Sequence, residues 1–136
     1  MKLSPYLVFN GQCRAAFKLY EEVLGGKIQM IMTWGESPMA DQFPKEAHDQ
    51  IMHASILIGD SSLAGADAPP DRYEKPQGMS VIIPVKEVSE AERIFKALSE
   101  GGNVTMDLQQ TFWAAAFGML TDRFGIPWMI NCEQAQ

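Results

Sequence analysis

His48 and His53 are the chain's two histidines, and with Glu46 and Asp49 beside them they form a local concentration of potential metal ligands and proton carriers. Imidazole changes its charge near neutral pH, so either residue has the chemistry of an acid, a base or a ligand. A metal shared by both would need the two rings on one side of the chain. A helix brings positions i and i+4 together and a strand i and i+2, and a spacing of five suits neither. The pair therefore separates into a loop His48 and a His53 lying in the alternating stretch Ile51 to Ile58, where it shares a face with Ser55 and Leu57. Cys13 and Cys132 are the two thiols, far apart and in no Cys-x-x-Cys pair, as expected of reduced cysteines in a cytoplasmic protein. Cys13 stands at the start of an expected helix, where free backbone N–H groups favour a thiolate. No His or Asp adjoins it, so it is not a candidate nucleophile.

The elements that must position these groups are written twice. Ala16-Phe17-Lys18-Leu19-Tyr20, running on to Gly25-Gly26-Lys27-Ile28, is echoed by Ala91-Glu92-Arg93-Ile94-Phe95, running on to Gly101-Gly102-Asn103-Val104. Each copy predicts an amphipathic helix closed by Gly-Gly and followed by a strand. The first helix is expected over Cys13 to Leu24, with Ala16, Phe17, Tyr20, Val23 and Leu24 as its apolar stripe. The second is expected over Ser89 to Glu100, with Ser89 as its cap and Glu92 at the third position after it. Strands flank both: Pro5 to Phe9, Lys27 to Trp34, Ile51 to Ile58 and Ser62 to Ala66 in the first copy. In the second they are Met79 to Val85, Asn103 to Gln109, Phe117 to Thr121 and Ile126 to Cys132. Each half is thus strand, helix, strand, strand, strand, an α+β pattern. The first module spans about 1–67, a Pro-rich linker 68–77, and the second module about 78–133. Gly35 to Gln50, containing Pro38 and Pro44, has no clear period and reads as a long loop of the kind that covers sites.

Composition narrows the function classes. A net charge of -6 and a pI near 4.8 leave no basic surface for a phosphate backbone, which argues against nucleic-acid binding. No apolar run approaches the ~20 residues of a membrane span, and Met1 to Tyr6 lacks the apolar segment of a secretory signal. A soluble, cytoplasmic protein is the expectation.

Two strand-helix-strand-strand-strand units joined by a linker resemble the vicinal oxygen chelate superfamily, which includes glyoxalase I, bleomycin-resistance proteins and extradiol dioxygenases. The resemblance extends over essentially the whole chain. Val8-Phe9-Asn10-Gly11 leading into Ala16-Phe17, then His53-Ala54, Ala66-Asp67 and above all Thr121-Asp122-Arg123-Phe124-Gly125-Ile126-Pro127-Trp128-Met129-Ile130-Asn131-Cys132-Glu133 look like its PhnB-like branch. The resemblance implies two sheets curled into a glyoxalase-like half-barrel with helices on the convex face, a small organic ligand in the concavity, and a homodimer. Metalloenzymes of the superfamily take His or Glu ligands from the first and last strands of each unit. Here those positions fall on Ser4 or Pro5, Ser80, Ala64 or Gly65, and Met129, which lack the donors a divalent ion requires. Neither a glyoxalase-type metal nor another cofactor is expected.

The same resemblance places His53 at a characteristic position of the branch and turns Met129 toward the concavity. Tyr6, Ser55 and Asp67 are expected to supply polar contacts, and Trp113, Phe117 and Met119 an apolar lining. Trp34 and Glu36 stand at the mouth of the long loop and are expected to cover the site. Three functions remain open: ligand binding alone, an isomerase or lyase step with His53 as acid or base beside Asp67 or Glu36, and sequestration like that of the bleomycin-resistance proteins. The branch also carries the label 3-demethylubiquinone methyltransferase. Methyl transfer calls for a glycine-rich turn that opens a helix, whereas both Gly-Gly pairs here end one.

Overall fold

The two Gly-Gly pairs do the same two jobs in both copies. In the computed structural model, which describes residues 1–69 and 71–133, Gly25 and Gly101 take positive φ of 71° and 72° beyond the last helical turn, a conformation costly for any residue with a Cβ. The following glycine allows close approach. A Cβ on Gly26 would stand 2.7 Å from Ile58 Cγ1 and 2.9 Å from the Leu57 carbonyl oxygen, and one on Gly102 would run into the Thr121 carbonyl.

In the first unit, Met1–Glu74, the elements are β1 (Tyr6–Phe9), α1 (Cys13–Leu24), β2 (Lys27–Thr33), β3 (Ile51–Ile58) and β4 (Ser61–Asp67). They form a sheet of order β1-β4-β3-β2. β1 runs parallel to β4 and the other neighbours are antiparallel. α1 buries Cys13, Ala16, Phe17, Tyr20 and Val23, the stripe expected from the sequence with Leu24 left at its edge. Against it lie Leu7, Phe9, Ala54, Ile56 and Leu63, all under 8% exposed. Phe9, Phe17 and Tyr20 form a ring cluster with centroids 6.0 to 6.5 Å apart. Each fully buried side chain of this size contributes roughly 1.5–3 kcal/mol. The ladder runs past the expected module end, because the Ala68 N–H donates to the Phe9 carbonyl at 2.9 Å.

The second unit, which begins at Lys75, repeats the plan with β5 (Val81–Val85), α2 (Val88–Ser99), β6 (Asn103–Gln109), β7 (Ala114–Thr121) and β8 (Pro127–Glu133) in the order β5-β8-β7-β6. α2 starts one residue before the expected cap. The Ala91 N–H already bonds the Glu87 carbonyl at 3.1 Å, so Ser89 lies inside the helix and no side chain caps it. β7 starts three residues before its expected beginning and carries a register shift between Ala114 and Ala116. Among the described residues the chain therefore holds two four-stranded mixed sheets and two α-helices, the expected α+β class. No helix among them is long and apolar enough to cross a membrane.

Candidate functional site

Alternation along each strand divides both sheets into a helix-covered face and an opposite one. In the first unit Tyr6 pairs with Ala64, Ala64 with Ser55 and Ser55 with Met30, which sets these four side by side on the face away from α1. One step along, Val8 lies opposite Ala66 and His53 opposite Met32. The Tyr6 and His53 rings are 6.0 Å apart and tilted by 30°. Three of the expected contact residues, Tyr6, His53 and Ser55, are thus neighbours on one surface with Met30, Met32, Val8 and the alanines of β4, and Leu57, Ser62 and Lys27 continue that face. His53 is half-buried, and its ring nitrogens have no hydrogen-bond partner among the described residues. The Tyr6 phenol is held above its ordinary value of 10.0, first by partial burial and then by the neighbouring Cys13.

Asp67 does not join them. It closes β4 on the same face as Leu63 and Gly65, toward α1, and is 2% exposed. Its Oδ1 accepts the Cys13 N–H at 2.9 Å and its Oδ2 the Ile51 N–H at 2.8 Å. The carboxylate satisfies the open N-terminus of α1 and the start of β3 together, a structural task that leaves neither oxygen for a ligand on the other face. Beside it, Cys13 departs from expectation. Burial and then the Asp67 charge push its thiol up from 9.0 to about 12, outweighing Arg14, so the thiolate that a helix N-terminus would favour does not form.

The long loop is more ordered than its composition suggests. It contains 3-10 turns at Ala40–Gln42 and Lys45–Ala47. His48 Nε2 lies 2.9 Å from the Ala40 carbonyl and 3.1 Å from that of Phe43, bracing the segment from within. Trp34 packs on Phe43 with ring centroids 4.2 Å apart. Glu36 is exposed and turned back on the chain: its Oε1 accepts from Thr33 Oγ1 at 2.8 Å and from the Thr33 N–H at 3.1 Å. Those bonds hold its carboxyl below the usual value.

In the second unit the equivalent face carries the row Ile82, Met129, Met119 and Met106, and beside it Pro84, Asn131 and Phe117. Trp113 stands edge-on to Phe117 at 5.4 Å. Phe117, Met119, Met129 and Trp113 are therefore together on this face. Asn131, which the sequence reading does not single out, alternates with Met129 in the closing string and shares its face. Its Oδ1 is buried without a hydrogen-bond partner. The Asp122 of that string is structural, because its Oδ1 accepts the Phe124 and Ile126 N–H groups at 2.9 and 3.0 Å and its Oδ2 the Trp128 indole N–H at 2.8 Å.

The sequence pattern of the 3-demethylubiquinone-9 3-methyltransferase family matches residues 1–131. The chain belongs to that family. Protein YjdN of Escherichia coli (strain K12) is 36% identical over 147 residues, covering 100% of this chain and 98% of its own. The crystal structure of protein PA1353 from Pseudomonas aeruginosa is 47% identical with a TM-score of 0.91, covering 99% of each chain. A PhnB protein from Bacillus cereus shares the fold at 20% identity and a TM-score of 0.81, covering 97% of this chain and 99% of that one. The expected likeness to the PhnB-like branch of the glyoxalase/bleomycin resistance/dioxygenase superfamily thus holds for the fold.

Because metalloenzymes share this fold, the donor set that this chain offers matters. The expected first-strand positions Ser4, Pro5 and Ser80 precede β1 and β5, and the residues opposite Ala64 and Met129 are Tyr6 and Ile82. Of the four paired residues only Tyr6 has a side-chain oxygen, and a phenol is not one of the imidazole or carboxylate donors such a site takes. Among the described residues no three His, Cys, Asp or Glu side chains converge. This donor set does not fit a divalent ion.

Proposed function

We propose that the protein binds a small organic molecule, aromatic or aliphatic, on the face of the first sheet that carries Tyr6, His53 and Ser55, without a glyoxalase-type metal. The observation that supports this most is the state of His53: half-buried among Met32, Tyr6 and Ser55, with uncommitted ring nitrogens. Such a group beside methionine, valine and alanine side chains orients a ligand by one or two hydrogen bonds while methionine and tyrosine supply contact area. The family's description names a ubiquinone precursor, and a substituted hydroxybenzene ring suits a surface of this kind. Acid–base catalysis by His53 is the weaker reading, because Asp67 and Glu36, its expected carboxylate partners, are engaged with backbone and with Thr33. The reading includes a homodimer, supported by the exposure of Tyr6, Leu57 and Met30 at 54%, 43% and 40% on this face. It also includes a cytoplasmic setting, supported by two free cysteines.

The test is a thermal-shift titration with methoxyhydroquinone and a panel of aromatic and aliphatic fragments, since a ligand that binds only the native state raises Tm. Binding by the wild type should be lost in His53→Ala and weakened in Ser55→Ala. Both variants, altered at half-buried positions, should keep unliganded stability within about 1 kcal/mol. Undiminished binding in His53→Ala, or a panel without any binder, would sink the proposal.

A further inference from the structure

α1 and α2 are both 12 residues long, which allows the two units to be compared position by position along their helices. In α1 the first, fifth and eighth positions are Cys13, Phe17 and Tyr20, each 0% exposed and packed into the core. The same positions in α2 are Val88, Glu92 and Phe95. Val88 is 40% exposed, Glu92 is exposed and Phe95 is half-buried. Where the first unit has core, the second has a groove of about 460 Å³ between α2 and the β6–β7 edge, and these three residues line one side of it.

The rest of the lining follows from local sequence. Phe95 occupies the space over Gly118, where a Cβ would stand 2.6 Å from its ring. Ala115 and Ala116, at the register shift in β7, line the groove together with Leu108 of β6. Glu92 of α2 and Asp107 of β6 both line the groove, together with Gln109 and Gln110, and no Lys, Arg or His does. Among the described residues neither carboxylate has a hydrogen-bond or ion-pair partner. Two carboxylates without a basic residue in the lining, beside Phe95, Leu108 and Ala116, favour positive charge on an apolar body. The volume suits a small organic molecule, within the roughly 300–1,000 Å³ typical of ligand sites.

We propose that this groove binds an organic cation, with an ammonium head between Glu92 and Asp107 and an apolar body against Phe95, Leu108 and Ala116. It lies on the helix-covered side of the second sheet, so it is a site additional to the Tyr6, His53 and Ser55 face and does not rest on that reading.

The probe is 2-phenylethylammonium, with 3-phenylpropionate as its oppositely charged counterpart, each titrated into the full chain and followed residue by residue in amide NMR spectra. The cation should give saturable shifts at Glu92, Phe95, Leu108 and Ala116, and the anion should not. Glu92→Gln and Asp107→Asn should each weaken binding about 2- to 5-fold, the range of exposed ion pairs. Glu92→Phe, which gives α2 the aromatic residue that α1 carries as Phe17, should abolish binding with the second sheet's spectrum retained. Should that variant not fold, the double change Glu92→Gln/Asp107→Asn decides, because it removes both charges without changing shape. The proposal is overturned if the anion shifts the same residues, if the double variant binds like wild type, if saturable shifts appear only around Tyr6 and His53, or if none appear at millimolar cation.

Discussion

Replacing Asp67 by Asn separates a structural carboxylate from a ligand-binding one. The side chain is 2% exposed and accepts two backbone N–H groups, from Cys13 at 2.9 Å and from Ile51 at 2.8 Å. An amide has the same shape but one acceptor, so Nδ2 must face one of those N–H groups donor to donor. The loss is one hydrogen bond to a charged acceptor, ~1.5–3 kcal/mol, together with the cost of a buried, unsatisfied N–H, ~1–3 kcal/mol. A net destabilisation of ~3 kcal/mol corresponds to a fall of ~10 °C in Tm for a chain of this length. Urea denaturation measures the total, and residue-resolved amide exchange locates it. Protection should fall at Cys13 and Ile51 and along α1 and β3, while β7 and β8 keep theirs. A variant within about 0.5 kcal/mol of wild type, with both amides still protected but fragment binding lost, would refute this account and return Asp67 to the ligand face.

Other outcomes follow from the same structure. The Cys13 thiol, raised from 9.0 to about 12 in the fold, keeps its proton where the unfolded chain has lost it. Stability it contributes is complete below pH 9 and falls as pH rises toward 12, at up to about 1.4 kcal/mol per pH unit. Cys13→Ser should flatten that part of the stability–pH curve, and an unchanged alkaline slope would contradict the assignment. Asp122→Asn should cost ~2–3 kcal/mol by setting an amide against the Trp128 indole N–H or the turn amides. A double-mutant cycle with Trp128→Phe should then show coupling of at least ~1 kcal/mol, whereas simple additivity would exclude the bond as its source. Gly65→Ala should cost ~2 kcal/mol or more in equilibrium unfolding, since its Cβ would lie 2.6 Å from the Leu7 carbonyl oxygen and 3.2 Å from the Phe17 ring. A neutral effect would mean that β1 and α1 can draw apart there.

What could be read along the chain was whatever depends on neighbours within a few residues. The apolar stripe of α1, the Gly-Gly closures and the strand-helix-strand-strand-strand order all rest on periodicity and on the steric freedom of glycine. Alternation within β3 was enough to put His53 and Ser55 on one face. The Asp67 reading failed on a boundary of one residue. With β4 ending at Ala66 its direction was open, whereas a strand that runs through Asp67 places it with Leu63 and Gly65 toward the helix.

Contacts between distant segments decided the rest. Tyr6 comes beside His53 because β1 lies parallel to β4, a pairing across more than 50 residues that no local period records. His48 faces its own loop because the carbonyls of Ala40 and Phe43 meet its ring there. Asp122 belongs to the hairpin because the Trp128 indole folds back onto it. By itself the sequence determined that two amphipathic helices would each cover a sheet, since amphipathicity is a property of spacing. Only the tertiary structure decided that α1 fills the space beneath it with Phe17 and Tyr20 while α2 leaves a groove at Glu92, because filling depends on the volumes that meet across the interface.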